Sequence, residues 1–327
     1  MSDLIVVRPE PLCAETPLER QEGILTPIER FYVRNNFPIP EPPTHLTIDG
    51  AVAEPMTLTP AELGRLPRRR LVATLECAGN GRATMNPPVP GEPWGLGAVS
   101  TADWEGVSLT TVLRNAEVAP EAVELVFHAA DGFARSLPIK VAQNEDILLV
   151  DRMNGAALTR EHGFPVRLLV PGWYGMASVK WLARIEASRT PFLGHFQVER
   201  YVIGDRPVRA VQPRSLILDP PEGATVGLTR TLVRGVGWTG AGRVTSVEVS
   251  DDGGQTWAAA LLLGYSQPYT WRRWEYAWVP KRLGEAMLLT RATDSTGLSQ
   301  PLQPVWNELG YCNNGVVPRH LFIDKTS

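Results

Sequence analysis

The chain has 327 residues, 43% hydrophobic and 20% charged, which suits roughly two globular domains, each with its own core. A formal net charge of −3 and a pI near 6.0 give no electrostatic footing for nucleic acid or an anionic membrane surface. Cys13, Cys77 and Cys312 are far apart, so there is no CxxC for zinc, a dithiol or haem attachment and no disulfide framework, and the chain suits a reducing compartment.

In chain order, Leu4–Val7 is too short and too acidic in its flank for a signal-peptide core. No apolar run reaches membrane-spanning length. The expectation is a cytoplasmic protein without an anchor. Phe31-Tyr32-Val33-Arg34-Asn35-Asn36 sets one arginine among apolar and amide residues, as on an edge strand or at a cleft. Thr59-Pro60-Ala61-Glu62-Leu63 predicts a capped helix start. Leu71–Leu75 predicts a short buried strand running into Cys77-Ala78-Gly79-Asn80-Gly81-Arg82. The small residues break the strand and let backbone approach a bound group. Cys77 is placed there either as a structural thiol or as a thiolate offered to a ligand, with Arg82 able to hold an anion beside it. Trp94 follows, and short helices are predicted over 108–114 and from 137.

Arg160-Glu161-His162-Gly163-Phe164-Pro165-Val166-Arg167 leads into a Gly-rich loop and Ser178-Val179-Lys180. Basic side chains around such a loop suit a phosphate, and the loop is not a Walker motif. Tyr201 lies beyond it. Prolines cluster over 205–221, after which the pattern is strand-like. Leu232, Val236 and Trp238 share one face, with Arg234 the exception; Val247 and Val249 precede the turn Asp251-Asp252-Gly253-Gly254; Trp274, Tyr276 and Trp278 alternate, followed by Met287 and Leu289. This spacing predicts an α+β domain over 1–210 and an all-β sandwich over 211–327. No HExxH, GxSxG, GxGxxG or Ser/His/Asp order is present.

Taken together, FYVRN at 31–35, CAGNGR at 77–82, MNG at 153–155, EHGFPVR at 161–167, VPGWYG at 170–175, SVKWL at 178–182 and SDDGGQTW at 250–257 resemble the sulfite oxidase family of molybdopterin enzymes. The resemblance runs from about residue 30 to the end. It implies a molybdenum–molybdopterin cofactor of the two-oxo type, with Cys77 as the metal's thiolate ligand. It assigns the substrate oxyanion to Arg34 and Arg82, an active-site role to Tyr201 and the substrate pocket to Trp94. Tyr32, Arg34, Asn35, His162, Arg167, Ser178, Val179 and Lys180 match cofactor-binding positions. The second domain resembles an immunoglobulin-like dimerisation domain, which implies a homodimer.

The implied reaction is oxo transfer to sulfite, with two electrons passed to a separate acceptor such as a cytochrome c-like protein or oxygen. Two features depart from the family. Asn36 stands where a histidine is common. The further substrate arginine expected from the second domain has only Arg272 or Arg273 as candidates. Alternative readings are a nitrate-reductase-like reductase of a small oxyanion or S-oxide, and a non-catalytic cofactor-binding paralogue, against which Cys77 argues.

Overall fold

A computed structural model describes residues 3–21 and 23–325. In the N-terminal half, strand Arg68–Glu76 pairs antiparallel with Val99–Ser108, which pairs in turn with Leu148–Met153. This sheet separates two apolar cores. Leu75, Trp94, Ala102, Trp104, Leu148 and Val150 fill one side. Val99, Val107 and Leu149 face the other, where they join Leu125, Phe127 and Ile185 of a second sheet. That sheet contains the parallel pair Leu46–Gly50 and Leu182–Ser188. The predicted strand 71–75 lies inside Arg68–Glu76 and is buried from Ala73 onward.

Helices are short and sit where capping and periodicity place them. Thr59 Oγ1 accepts from the Glu62 amide at 3.2 Å and the Thr59 amide donates to Glu62 Oε2 at 2.8 Å, a complete capping box with Pro60 in the first turn. Helix Leu109–Ala116 buries Leu109, Val112, Leu113 and Ala116, one apolar stripe of helical spacing. Ile139–Ala142 is the third expected helix. No helix among the described residues is long and apolar enough to cross a membrane.

The C-terminal half is a sandwich of two sheets. One is ordered Arg214–Asp219, Thr231–Trp238, Arg272–Trp278 and Leu261–Leu262. The other centres on Gly284–Asp294 between Arg319–Asp324 and Val244–Ser250. Val233, Val247, Val249, Trp274, Trp278 and Leu288 meet between them. The structure shows which core each strand face meets. The face of Leu232, Val236 and Trp238 points away from the sandwich core; Val236 and Trp238 pack into the N-terminal core instead, and Arg234 on the same face is exposed. The inner face carries Val233 and Gly235, where a Cβ on Gly235 would lie 2.3 Å from the Trp274 ring. Leu288 enters the sandwich core, and Leu289 is buried outside it.

The two halves are joined through buried polar groups. Glu76, the last residue of its strand, accepts from Arg214 Nη1 at 3.2 Å, Trp238 Nε1 at 2.8 Å and Asn80 Nδ2 at 2.9 Å. The side chains of Arg214 and Glu76 are 1% and 3% exposed. Burial pushes the Glu76 carboxyl up, and Arg214, Trp238 and Asn80 pull against it. Trp271 docks on the same strand, its amide donating to Thr74 Oγ1 and its indole to Ile24 O, both at 2.8 Å. Removing one member of a buried pair leaves the other charge uncompensated. Arg214→Ala is therefore expected to lower unfolding stability by about 3–5 kcal/mol in urea titration; a change under about 1 kcal/mol would show that the pair does not join the halves.

Candidate active site

Cys77 is the first residue after strand Arg68–Glu76, and the backbone fixes it tightly. Its amide donates to Ala98 O at 2.9 Å, and its carbonyl accepts from the Asn80 amide at 2.9 Å. Gly81 then takes φ +82°, the left-handed conformation glycine adopts without a Cβ penalty. That turn brings Arg82 back over its own loop: a Cβ on Gly79 would lie 2.5 Å from Arg82 Nη2. The small residues therefore exist here to let a guanidinium lie against backbone. The C-terminal half closes the loop from outside. Cys312 N–H donates to Ala78 O at 2.8 Å, Asn313 Nδ2 to Gly81 O at 2.7 Å, and Arg82 Nε to Leu309 O at 3.1 Å.

Two cavities meet at Cys77, and Arg34, Asn36 and Tyr201 also face both. The inner cavity is lined by Tyr32, Asn35, His162, Arg167, Ser178, Val179 and Lys180. Arg167 is held by His162 O (3.1 Å) and Ser178 O (2.9 Å) and lies over the Trp104 ring. Ser178 spends its hydroxyl on the Val170 amide at 3.0 Å, and the Val179 carbonyl accepts from Leu168 at 2.8 Å, so both contribute mainly loop shape. Lys180 donates to Glu161 O at 2.8 Å and to Asn35 Oδ1. Burial, then repulsion from Lys180 and Arg167, pushes His162 down to about 3, so its imidazole is neutral. Burial and Arg167 also push Lys180 well below the ordinary lysine range.

These shifts describe cations crowded around a space that wants an anion. Asn35 Nδ2 and Arg167 Nε are buried without a hydrogen-bond partner among the described residues. A phosphate-bearing group fits this cavity: it would take those donors and neutralise the crowding. A thiol at the cavity's end fits a metal that takes soft thiolate ligands. Burial raises the Cys77 thiol, against Arg34 and Arg82, and a metal would release that proton on binding.

The outer cavity is lined by Arg34, Arg82, Trp94 and Tyr201 among others. Trp94 is fully buried and its indole N–H has no partner among the described residues. Tyr201 stacks on Tyr311 at 5.3 Å, and its hydroxyl lies 3.5 Å from Asn36 Nδ2. Tyr201 takes φ +54°, strained for a residue with a Cβ. Arg135, over the Tyr201 ring, ties the flanking segments by donating to Phe196 O and Val208 O.

Arg272 and Arg273 do not line this cavity, which corrects their assignment. Arg272 donates to Val244 O and Gly264 O within the sandwich. Arg273 is paired across the sheet with Val236. The docking of neighbouring Trp271 on the N-terminal half turns this strand away from the pocket. The C-terminal half supplies Leu309 and Tyr311 instead. Sequence reasoning also missed Glu92, His195 and Arg200, which line the same space. Glu92 lies in Gly91-Glu92-Pro93-Trp94, and only its nearness to Trp94 hinted at a role.

Residues 36–196 match the oxidoreductase molybdopterin-binding domain, and residues 205–317 match the Mo-co oxidoreductase dimerisation domain. Sulfite oxidase of Gallus gallus is 38% identical over 92% of this chain and 74% of its own length. The chain spans about 63% of the mammalian sulfite oxidases it matches. Nitrate reductase [NADH] 1 of Phaseolus vulgaris is 31% identical over 93% of this chain and 40% of its own. Among solved structures, the sulfane dehydrogenase SoxCD of Paracoccus pantotrophus superposes with a TM-score of 0.83 at 29% identity, covering 95% of this chain and 84% of that one. With the cysteine-centred double cavity in place, these matches establish that the chain belongs to the sulfite oxidase family of molybdopterin-dependent oxidoreductases.

Proposed function

We propose that the chain catalyses the two-electron oxidation of sulfite: sulfite and water give sulfate, two protons and two electrons. The observation that carries this reading is the placement of Arg34 and Arg82 in a cavity opening directly from Cys77. When bound, a molybdenum–molybdopterin centre of the two-oxo type supplies the oxygen transfer and stores the electron pair. The protein supplies the rest. Arg167, Lys180, Asn35 and neutral His162 hold the anionic end of the cofactor, and Cys77 supplies the metal's thiolate. Arg34 and Arg82 draw an anionic substrate toward a centre that would otherwise repel it. At an effective dielectric of about 20, one guanidinium about 4 Å from a unit negative charge contributes about 4 kcal/mol of attraction before desolvation. The Tyr201 hydroxyl donates to a substrate oxygen, and Trp94 excludes water from one wall.

Electrons leave to an external acceptor, a cytochrome c-like protein or oxygen. The dimerisation-domain match over 205–317 supports a homodimer. Reduction of nitrate or another small oxyanion is the second reading, favoured by the lack of a guanidinium from the C-terminal half in the pocket and by the resident carboxylate of Glu92.

Cys77→Ser is expected to abolish sulfite-dependent reduction of ferricyanide while leaving the melting temperature near that of the wild type. Wild-type-like turnover in a molybdenum-loaded variant would refute the ligand assignment. Arg82→Gln is expected to lose about 2–5 kcal/mol in kcat/KM for sulfite, as a buried anion loses its charged partner. An unchanged kcat/KM would remove Arg82 from the substrate site. Molybdenum-loaded wild type that reduces nitrate and oxidises no sulfite would shift the assignment to the second reading.

A further inference from the structure

Glu92 is an anion built into an anion pocket. Its two carboxylate oxygens are divided between neighbours. Oε1 accepts from Arg8 Nη1 at 2.5 Å, whereas Oε2 lies 3.5 Å from Arg34 Nη2 and 4.0 Å from Arg82 Nη1. The side chain is 14% exposed and lines the cavity that holds Cys77, Trp94 and Tyr201. Both guanidiniums assigned to substrate therefore already face a resident carboxylate.

The position is fixed from several sides. Glu92 precedes Pro93, which restricts its backbone to extended conformations. Its carbonyl accepts from Arg82 Nη1 at 2.9 Å. Arg8 is itself anchored, donating to Pro11 O at 3.0 Å and Asn35 O at 2.8 Å. Burial works against ionisation of Glu92, but Arg34, Arg8 and Arg82 outweigh it and hold the carboxyl below the ordinary range. The group is charged at neutral pH.

We infer that Glu92 is a specificity residue that limits how much negative charge the pocket accepts. Glu92 offsets part of the positive charge that Arg34, Arg82, Arg8 and Arg200 bring to this end of the cavity. A dianion must sit beside Glu92 and is repelled about twice as strongly as a monoanion, because Coulomb energy scales with the product of charges. Glu92 therefore penalises the fully ionised form more than a monoanionic or protonated oxyanion, which can also donate a hydrogen bond to Glu92, and shifts the pocket's preference towards the lower charge. Specificity here comes from a repulsive group as much as from the attractive ones.

This inference takes from the proposed function only that Arg34 and Arg82 form the anion site. The test measures binding of sulfate, a dianion, and nitrate, a monoanion, to the molybdenum-loaded enzyme at pH 7.5 by calorimetry, for wild type, Glu92→Gln and Glu92→Asp. Glu92→Gln is expected to tighten sulfate by about tenfold or more, equivalent to about 1.4 kcal/mol, and nitrate by about threefold. Glu92→Asp, which keeps the charge, is expected to retain the wild-type preference between the two anions. An unchanged sulfate-to-nitrate preference in Glu92→Gln, or an aspartate variant that behaves as the glutamine one, overturns the inference. A shifted preference in an enzyme that oxidises no sulfite supports the charge role of Glu92 and overturns only the substrate reading.

Discussion

The buried pair of Glu76 and Arg214 is the constraint on which the site depends. Glu76 is the residue immediately before Cys77, and Arg214 opens the first strand of the C-terminal sandwich. Their contact, with Trp238 and Asn80 completing the carboxylate's bonds, fixes where the strand ends and where the cysteine loop begins. Such a pair is weak evidence for net stability, because desolvating two charges offsets much of their attraction. Its value here is positional. The same loop is then held by Cys312, Asn313 and Leu309, so the sandwich forms one wall of the active site as well as a module with its own core.

From that fixed point the chemistry divides by charge. On the inner side, Arg167 and Lys180 crowd beside neutral His162 with Asn35 Nδ2 and Arg167 Nε left unpaired, an arrangement that an anionic occupant would relieve. On the outer side, Arg34 and Arg82 are partly neutralised by Glu92. A strongly bound cofactor and a substrate that must leave as product ask for different fields. The inner cavity is left hungry for charge, and the outer one is tempered. Cys77 sits at the border, where a metal can touch both.

Much of this was legible in the sequence because it is local. The strand into Cys77, the small-residue turn, the capping box at Thr59 and the alternation of Trp274 with Trp278 are set by neighbours a few residues apart. Arg34, Arg82, Lys180 and Arg167 stood out as cations at breaks in apolar runs, and the ordered motifs tied them to one family. What escaped was set by tertiary pairing. Nothing near Arg214 announces that it meets Glu76, 138 positions earlier in the chain. Glu92 reads as an ordinary loop acid until Arg8, Arg34 and Arg82 are placed around it. Arg272 and Arg273 looked available because an arginine was wanted from that half, and the docking of Trp271 decided otherwise. The face carrying Val236 and Trp238 showed the right periodicity, but periodicity does not say which of two cores a face will meet.

The central claim is that the Cys77 sulfur binds the metal. X-ray absorption at the molybdenum edge of the loaded protein measures this directly, by comparing wild type with Cys77→Ser. The account predicts that the variant loses one sulfur neighbour of molybdenum while the remaining sulfur shell persists. An identical sulfur shell in both proteins would contradict it.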